Sequence, residues 1–438
     1  QRLTLLQKRA LLSLRSRGLR GTLARIRQQL RGNPASAARI ALPLPDAIDA
    51  NDLILPGSDA PVASIIIPVY NHLDATLVCL RSLAQTQNRT AHEIILVDDC
   101  SSDDSASVLP QVRGLRYQRN PQNTGFIGAC NAGAANARGE FVVFLNNDTA
   151  VQDGWLDALI DTFSQHQDVG LAGAKLVYPD GRLQEAGGIV FSDGSGWNYG
   201  RFDDPAKPEY NFVREVDYCS GAAIALRTEL FRQFGGFDTH YAPAYYEDTD
   251  LAMKVRAAGL RVLYQPASVV VHFEGISSGT DTATGTKRYQ VINQEKFLSR
   301  WEQALATHPA PGTDIVVARQ HRAKKHVLII DATTPQPDHD SGSVRLCNIF
   351  RLLLEDGCAV TFFADNRAFV ETYTPALQQM GVEVLWLPHL SDPVSWFAQH
   401  GHRFDLIFVA RHYIASSYVE LVRTHAPQAR LAFDTVDL

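Results

Sequence analysis

The chain has 438 residues, 45% of them hydrophobic and 20% charged, with a formal net charge of −6. That length allows two or three domains with ample buried core, and the composition is that of ordinary soluble globular protein. An acidic total whose basic residues crowd the start excludes a broad nucleic-acid surface, and no apolar run approaches the ~20 residues needed to span a bilayer.

Six cysteines (Cys79, Cys100, Cys130, Cys219, Cys347 and Cys358) are scattered without a CxxC pair or zinc-site spacing. They read as buried thiols in a reducing compartment, and no signal peptide is recognisable. The expectation is a cytoplasmic protein. A start at Gln1 and an end in the middle of a fold suggest a piece of something longer.

Residues 1 to about 32 read as a basic helix, in which Leu5, Leu11, Leu12, Leu19, Leu23, Ile26 and Leu30 interleave with arginines and no acid precedes Asp46. Such a segment can make peripheral contact with an anionic membrane, or stay a solvated helix or a disordered arm. Pro43, Pro45, Pro56 and Gly57 mark a linker.

From Ala63, short apolar strands alternate with helices, which argues for a mainly parallel sheet. SIIIPVYN is a first strand expected to stop at Pro68, and Leu73, Leu77, Leu80 and Leu83 follow at helical spacing. In EIILVDDCSSDDS, Asp98 and Asp99 end a second strand. Carboxylates there can accept hydrogen bonds from a nucleoside. NTGFIGACNAG is glycine-rich before a helix but lacks the lysine of a P-loop, so its glycines could equally serve close packing. FVVFLNNDT is a buried strand ended by Asn146, Asn147 and Asp148. An acid held at a sheet's rim can bind a divalent cation, although the same triplet suits a turn. Strand ends at Pro68, Asp98 and Asn146 thus fall on one side of a sheet, where open α/β folds bind ligands.

Residues 170 to 214 are less regular, and PDGRLQEAGG and SDGSGWNYG read as hairpin turns. Trp197, Tyr199 and Tyr210 either stack on a sugar or form a local core. In APAYYEDTDLAMKVRAAG, Leu251 and Val255 give a helix its buried face, and Glu247, Asp248 and Asp250 crowd its start. The helix dipole favours acids there and is expected to keep Asp248 ionised, the state a general base needs. The strand SVVVHF carries His272, and the polar run Gly275 to Thr286 after it ends in Lys287 and Arg288. That run has the makings of a loop that closes over a diphosphate. After a linker with Pro309, Pro311 and Gly312, alternating strands and helices from HVLIID onward form a Rossmann-like half. The expected organisation is 1–60 segment and linker, 61–307 first domain, 308–325 linker and 326–438 second domain.

PVYN, the Asp98/Asp99 pair, NTGFIGACNAG, FLNNDT, SGAAIALR, GGFD and YYEDTDL, in this order, resemble the family 2 glycosyltransferases, with their GT-A fold, and most of all their bacterial rhamnosyltransferase-like branch. The resemblance covers about Ala63 to Trp301. It implies an inverting transfer of a sugar, such as rhamnose, from a dTDP- or UDP-sugar to a saccharide or lipid-linked saccharide of a bacterial surface polysaccharide. It further implies that Asp148 and His272 hold Mg²⁺ or Mn²⁺ and that Asp248 is the catalytic base. Pro68, Tyr70, Asn71, Asp98, Asp99, Asn131, Asn147, Glu247 and Arg288 would contact substrate. Asn146 and Asn147 stand where a fuller acidic motif carries more carboxylate. The second domain resembles the N-terminal half of a GT-B glycosyltransferase. A nucleotidyltransferase would share the nucleotide-binding sheet but carry a basic glycine loop after the first strand, where Pro68, Tyr70 and Asn71 stand. A scaffold without catalysis would bind nucleotide without turnover.

Overall fold

The computed structural model describes residues 48–273 and 288–435. The expected basic helix at 1–32, the run Gly275 to Thr286, Lys287 and the side chain of Arg288 lie outside the described residues. The described chain divides into two compact units, one of 48–205 with 214–321 and the other of 206–213 with 322–435.

The first unit holds strands β1 (Ala63–Val69), β2 (His92–Asp98), β3 (Leu115–Arg119), β4 (Phe141–Leu145), β5 (Thr149–Val151), β6 (Val169–Val177), β7 (Leu183–Glu185), β8 (Gly188–Val190), β9 (Gly196–Asn198), β10 (Arg214–Glu215), β11 (Ala223–Arg227) and β12 (Arg261–His272). Its main sheet runs β10-β12-β6-β11-β4-β1-β2-β3, with β5 on β12 and β7 on β6. β3, β2, β1 and β4 are mutually parallel, and β11 turns antiparallel between β4 and β6. β1 and β2 are buried at every position, as strands covered on both faces are, which is why their sequences are nearly unbroken Ile, Val and Leu. Helix α1 (Leu73–Gln85) follows β1, α2 (Gly125–Ala135) precedes β4 and α3 (Trp155–Gln165) precedes β6. Ile65, Ile67, Leu80, Leu96, Val143, Trp155 and Leu156 share one core, where truncating a Leu or Ile to Ala costs about 2–5 kcal/mol.

Pro68 does not stop the first strand as the sequence suggested, since β1 continues to Val69, with Pro68 opposite Val97. The Val69 carbonyl accepts from Asp99 N on the β2 side. By alternation the Pro68 nitrogen therefore faces β4, whose pairing with β1 has already ended at Ile66. The absent N–H costs no ladder bond.

Both hairpin turns form: Tyr178 N to Arg182 O (2.7 Å) joins β6 to β7, and Phe191 N to Ser195 O (2.8 Å) joins β8 to β9. Tyr199 and Tyr210 are core residues, whereas Trp197 is 49% exposed. The six cysteines are free thiols. Among the described residues no helix is long and apolar enough to cross a membrane.

The second unit is a parallel sheet of β13 (His326–Asp331), β14 (Ala359–Ala364), β15 (Glu383–Leu385), β16 (Leu406–Ala410) and β17 (Arg430–Asp434) in the order β15-β14-β13-β16-β17. That is the 3-2-1-4-5 order of doubly wound sheets. Val327 and Ile329 pack with Leu346, Phe350 and Leu377. Leu328 and Ile330 pack with Phe397, Ile414 and Tyr418. The period-2 alternation of β13 therefore puts a helix-covered core on each face.

Candidate active site

Because β1, β2 and β4 are parallel, Val69, Asp98 and Leu145 end at one edge of the sheet. Asp98 is fully buried and accepts from Ser101 N (2.8 Å), Tyr117 OH (2.6 Å) and Arg119. Burial raises its pKa, but these donors outweigh it and hold the carboxyl below its usual range. Asp99 receives Thr124 N (2.9 Å), Thr124 Oγ1 (2.7 Å), Gly125 N (2.7 Å) and Asn120 Nδ2 (2.8 Å), which anchors the start of α2. Asn71 sits in a left-handed corner with φ 59°, and its Oδ1 accepts from Ser102 N at 2.7 Å. These three side chains therefore tie the strand-end loops together, while Tyr70 stands 50% exposed above them.

The NND triplet divides by direction. Asn147 turns inward and donates to Thr76 Oγ1 of α1 at 2.9 Å. Asn146 and Asp148 meet His272, whose Nε2 lies 3.3 Å from Asp148 Oδ1 and 3.5 Å from Asn146 Nδ2. Strand register produces this meeting, since β12 pairs antiparallel with β5 and sets His272 directly across from Thr149. Asn146 Oδ1 is buried and has no hydrogen-bond partner among the described residues. Such an orphan acceptor is costly unless something satisfies it. A carboxylate, an amide oxygen and an imidazole make a donor set that suits Mg²⁺ or, through the imidazole, Mn²⁺.

Asp248 lies in the first turn of α4 (Glu247–Ala257). Its Oδ2 accepts from Gly221 N at 2.8 Å and its Oδ1 from Thr249 N at 2.6 Å. Contrary to the expectation from the helix dipole alone, burial outweighs these donors and raises its pKa. Glu247 beside it is buried, with an Oε2 that has no hydrogen-bond partner among the described residues. Burial, and secondarily the Asp248 charge, pushes the Glu247 carboxyl well above its usual range. Of the pair, Asp248 with its N–H donors is the better placed to ionise, while burial favours the neutral form of Glu247. Tyr245 and Tyr246 just before them adopt φ 75° and 73°, a costly left-handed conformation for tyrosine that clusters at functional sites.

A carboxyl whose folded-state pKa is raised contributes stability below its unfolded pKa and loses it as pH rises through the folded value. Glu247→Gln is therefore expected to raise the melting temperature at about pH 8 by roughly 2–4 °C, the response of a domain this size to about 1 kcal/mol. At about pH 4 the two proteins should melt together. A lower melting temperature at the alkaline pH would contradict a protonated Glu247.

The turn at 220–222 joins the two halves of the site. Asn146 N donates to Ala222 O (3.0 Å), Gly221 N caps Asp248, and Ser220 N donates to Glu185 Oε1 (2.9 Å). Gln184 approaches His272 Nδ1 at 3.1 Å. Asn146 was read as a strand end in the triplet without a role of its own, whereas Gln184, Glu185 and Gly221 escaped the sequence reading, which saw only hairpin and strand-break residues there. Asn131 lies apart from this group, clamping the Phe237 backbone through both its amide atoms at 2.9 Å.

Among the described residues Asp217, His308 and His321 form another group able by composition to hold a metal. Its atoms are already engaged: Asp217 accepts from Val190 N (2.9 Å), meets His321 Nε2 (3.1 Å) and pairs with Arg256 (3.3 Å), while His308 Nδ1 meets Val190 O (2.9 Å). Val216 N bonds Val262 O, so the group lies at the opposite end of β12 from His272. It acts as a latch for the 308–321 segment.

The sequence profile of Glycosyl transferase family 2 matches residues 64–234. The chain is 29% identical over 290 residues to the O-antigen biosynthesis protein RfbC of Myxococcus xanthus, covering 60% of this chain and 22% of that protein. It is 28% identical over 247 residues to the N-acetylglucosaminyl-diphospho-decaprenol L-rhamnosyltransferase of Mycobacterium tuberculosis, covering 51% of this chain and 79% of that one. A crystal structure of GalNAc-T7 with UDP, GalNAc and Mn²⁺ superposes with a TM-score of 0.46 and 16% identity, over 57% of this chain and 50% of that one. The chain spans under half the length of the first curated relatives it matches, at 30%, 22% and 47%.

Proposed function

Since residues 64–234 match the profile of Glycosyl transferase family 2, we propose that the first unit transfers a sugar from a nucleoside-diphosphate sugar to a saccharide hydroxyl, with inversion and with a divalent cation. The observation that carries this reading is the convergence of Asn146, Asp148 and His272 on one side of the 220–222 turn and of Asp248 on the other. Asp248 takes the proton of the acceptor hydroxyl as its oxygen attacks the anomeric carbon. Gly221 and Thr249 hold the carboxylate in place through their N–H groups. Asp148, His272 and Asn146 would hold Mg²⁺ or Mn²⁺, which offsets charge on the departing diphosphate when bound. Asp98, Asp99 and Asn71 shape the loops over which the nucleoside lies, beside the exposed Tyr70. The names of the two relatives support a bacterial surface saccharide as acceptor and rhamnose as the sugar transferred, and a dTDP- or UDP-sugar is the donor we propose.

The test is release of nucleoside diphosphate from a panel of dTDP-, UDP- and GDP-sugars, with and without saccharide acceptors, in Mg²⁺, in Mn²⁺ and after chelation. One donor turned over with a metal requirement is the expected result. Equal turnover after chelation would overturn the metal assignment, and no turnover with any donor would overturn the activity.

A further inference from the structure

We propose that Gln184 is a positioning residue that sets which nitrogen of His272 faces Asp148. The proposal rests on the reading that Asp148 and His272 hold a divalent cation. Gln184 is the middle residue of β7, which pairs antiparallel with the end of β6, and it is 2% exposed. Its Oε1 lies 3.1 Å from His272 Nδ1, while Nε2 across the ring lies 3.3 Å from Asp148 Oδ1.

A neutral imidazole carries one proton on two nitrogens, and the nitrogen that binds a metal must be the bare one. A carboxamide oxygen accepting from Nδ1–H draws that proton to the Gln184 side. The Nε2 lone pair is then left toward Asp148 Oδ1 and the Asn146 amide group. The contact also fixes ring rotation, since it holds the atom opposite the ligand nitrogen. Partners of this kind orient metal-binding histidines and raise their basicity. A neutral acceptor does so without adding a second buried carboxylate beside Asp148. Side chains alternate along a strand, so the next residue, Glu185, points away from His272 and receives Ser220 N at 2.9 Å. β7 thereby braces the metal side of the site with one side chain and the turn that caps Asp248 with the next.

The experiment is Mn²⁺ titration of the whole chain, read by the electron paramagnetic resonance of free Mn²⁺, in wild type, Gln184→Met, Gln184→Glu and His272→Ala. Methionine keeps the volume and removes the acceptor, and is expected to weaken binding about 10–100-fold. Glutamate restores the acceptor and should retain affinity. ¹⁵N shifts of His272 without metal should show the Nδ1–H tautomer in wild type and its loss in Gln184→Met. Unchanged binding in His272→Ala would overturn the cation reading together with this one. Loss in His272→Ala with wild-type affinity in Gln184→Met would overturn the role of Gln184 alone. Should Gln184→Met fail to fold, the ¹⁵N shifts of the metal-free wild type decide, and an Nε2–H tautomer of His272 overturns the proposal.

Discussion

Asp248→Asn is expected to lower turnover by about 10²–10⁴-fold, the contribution of a positioned general base, with donor affinity close to wild type. The amide keeps the shape of the carboxylate and can still accept one of the Gly221 and Thr249 N–H bonds. The lost second bond costs about 1 kcal/mol of stability, far less than the catalytic loss. Burial raises the Asp248 pKa, so the acid limb of the pH–rate profile in the wild type should lie above the ordinary carboxylate range. Activity falls as pH drops through that raised pKa, because the base must be ionised to accept a proton. Steady-state rates across pH, together with donor titration of the variant, check both statements. Wild-type turnover in Asp248→Asn would remove this residue from the role.

Asp148→Ala should abolish Mn²⁺ binding and lower turnover by roughly 10³-fold, since a cation at a leaving diphosphate supplies several kcal/mol and each 1.36 kcal/mol is tenfold. His272→Ala should weaken Mn²⁺ binding with a smaller loss of turnover, because an oxygen-preferring cation depends more on the carboxylate than on the imidazole. Asn146→Ala removes only a neutral oxygen and should have the mildest effect of the three. Metal titration and nucleoside-diphosphate release measure the series. Mn²⁺-dependent activity surviving in Asp148→Ala would sink the assignment, whatever the other two variants did.

Both expectations lean on features that differ in how far the sequence revealed them. Asp148 and Asp248 were legible because each is an acid at the end of a strongly patterned element, a buried strand for one and a helix start for the other. His272 was visible as a polar interruption in SVVVHF, but its partner was not. The hairpin reading of PDGRLQEAGG correctly located β7 without disclosing that Gln184 reaches His272 while Glu185 reaches the 220–222 turn. The Asp98 and Asp99 pair was easy to find, whereas its internal bonds to Tyr117, Arg119, Thr124 and Gly125 depend on residues 19 to 26 positions away.

The sequence by itself determined the alternation of strands and helices and the resemblance to glycosyl transferase family 2 over residues 64–234, since period-2 and period-3.6 apolar patterns and an ordered set of short motifs are local properties. It also determined which acids end their elements. Only the tertiary structure decided that Asn146 rather than Asn147 turns toward His272, because that choice depends on Thr76 of α1 taking the Asn147 amide. Likewise the pairing of His272 opposite Thr149 is a matter of strand register. The raised pKa values of Asp248 and Glu247 are a matter of burial, and against burial the helix dipole that local sequence predicts is the weaker effect.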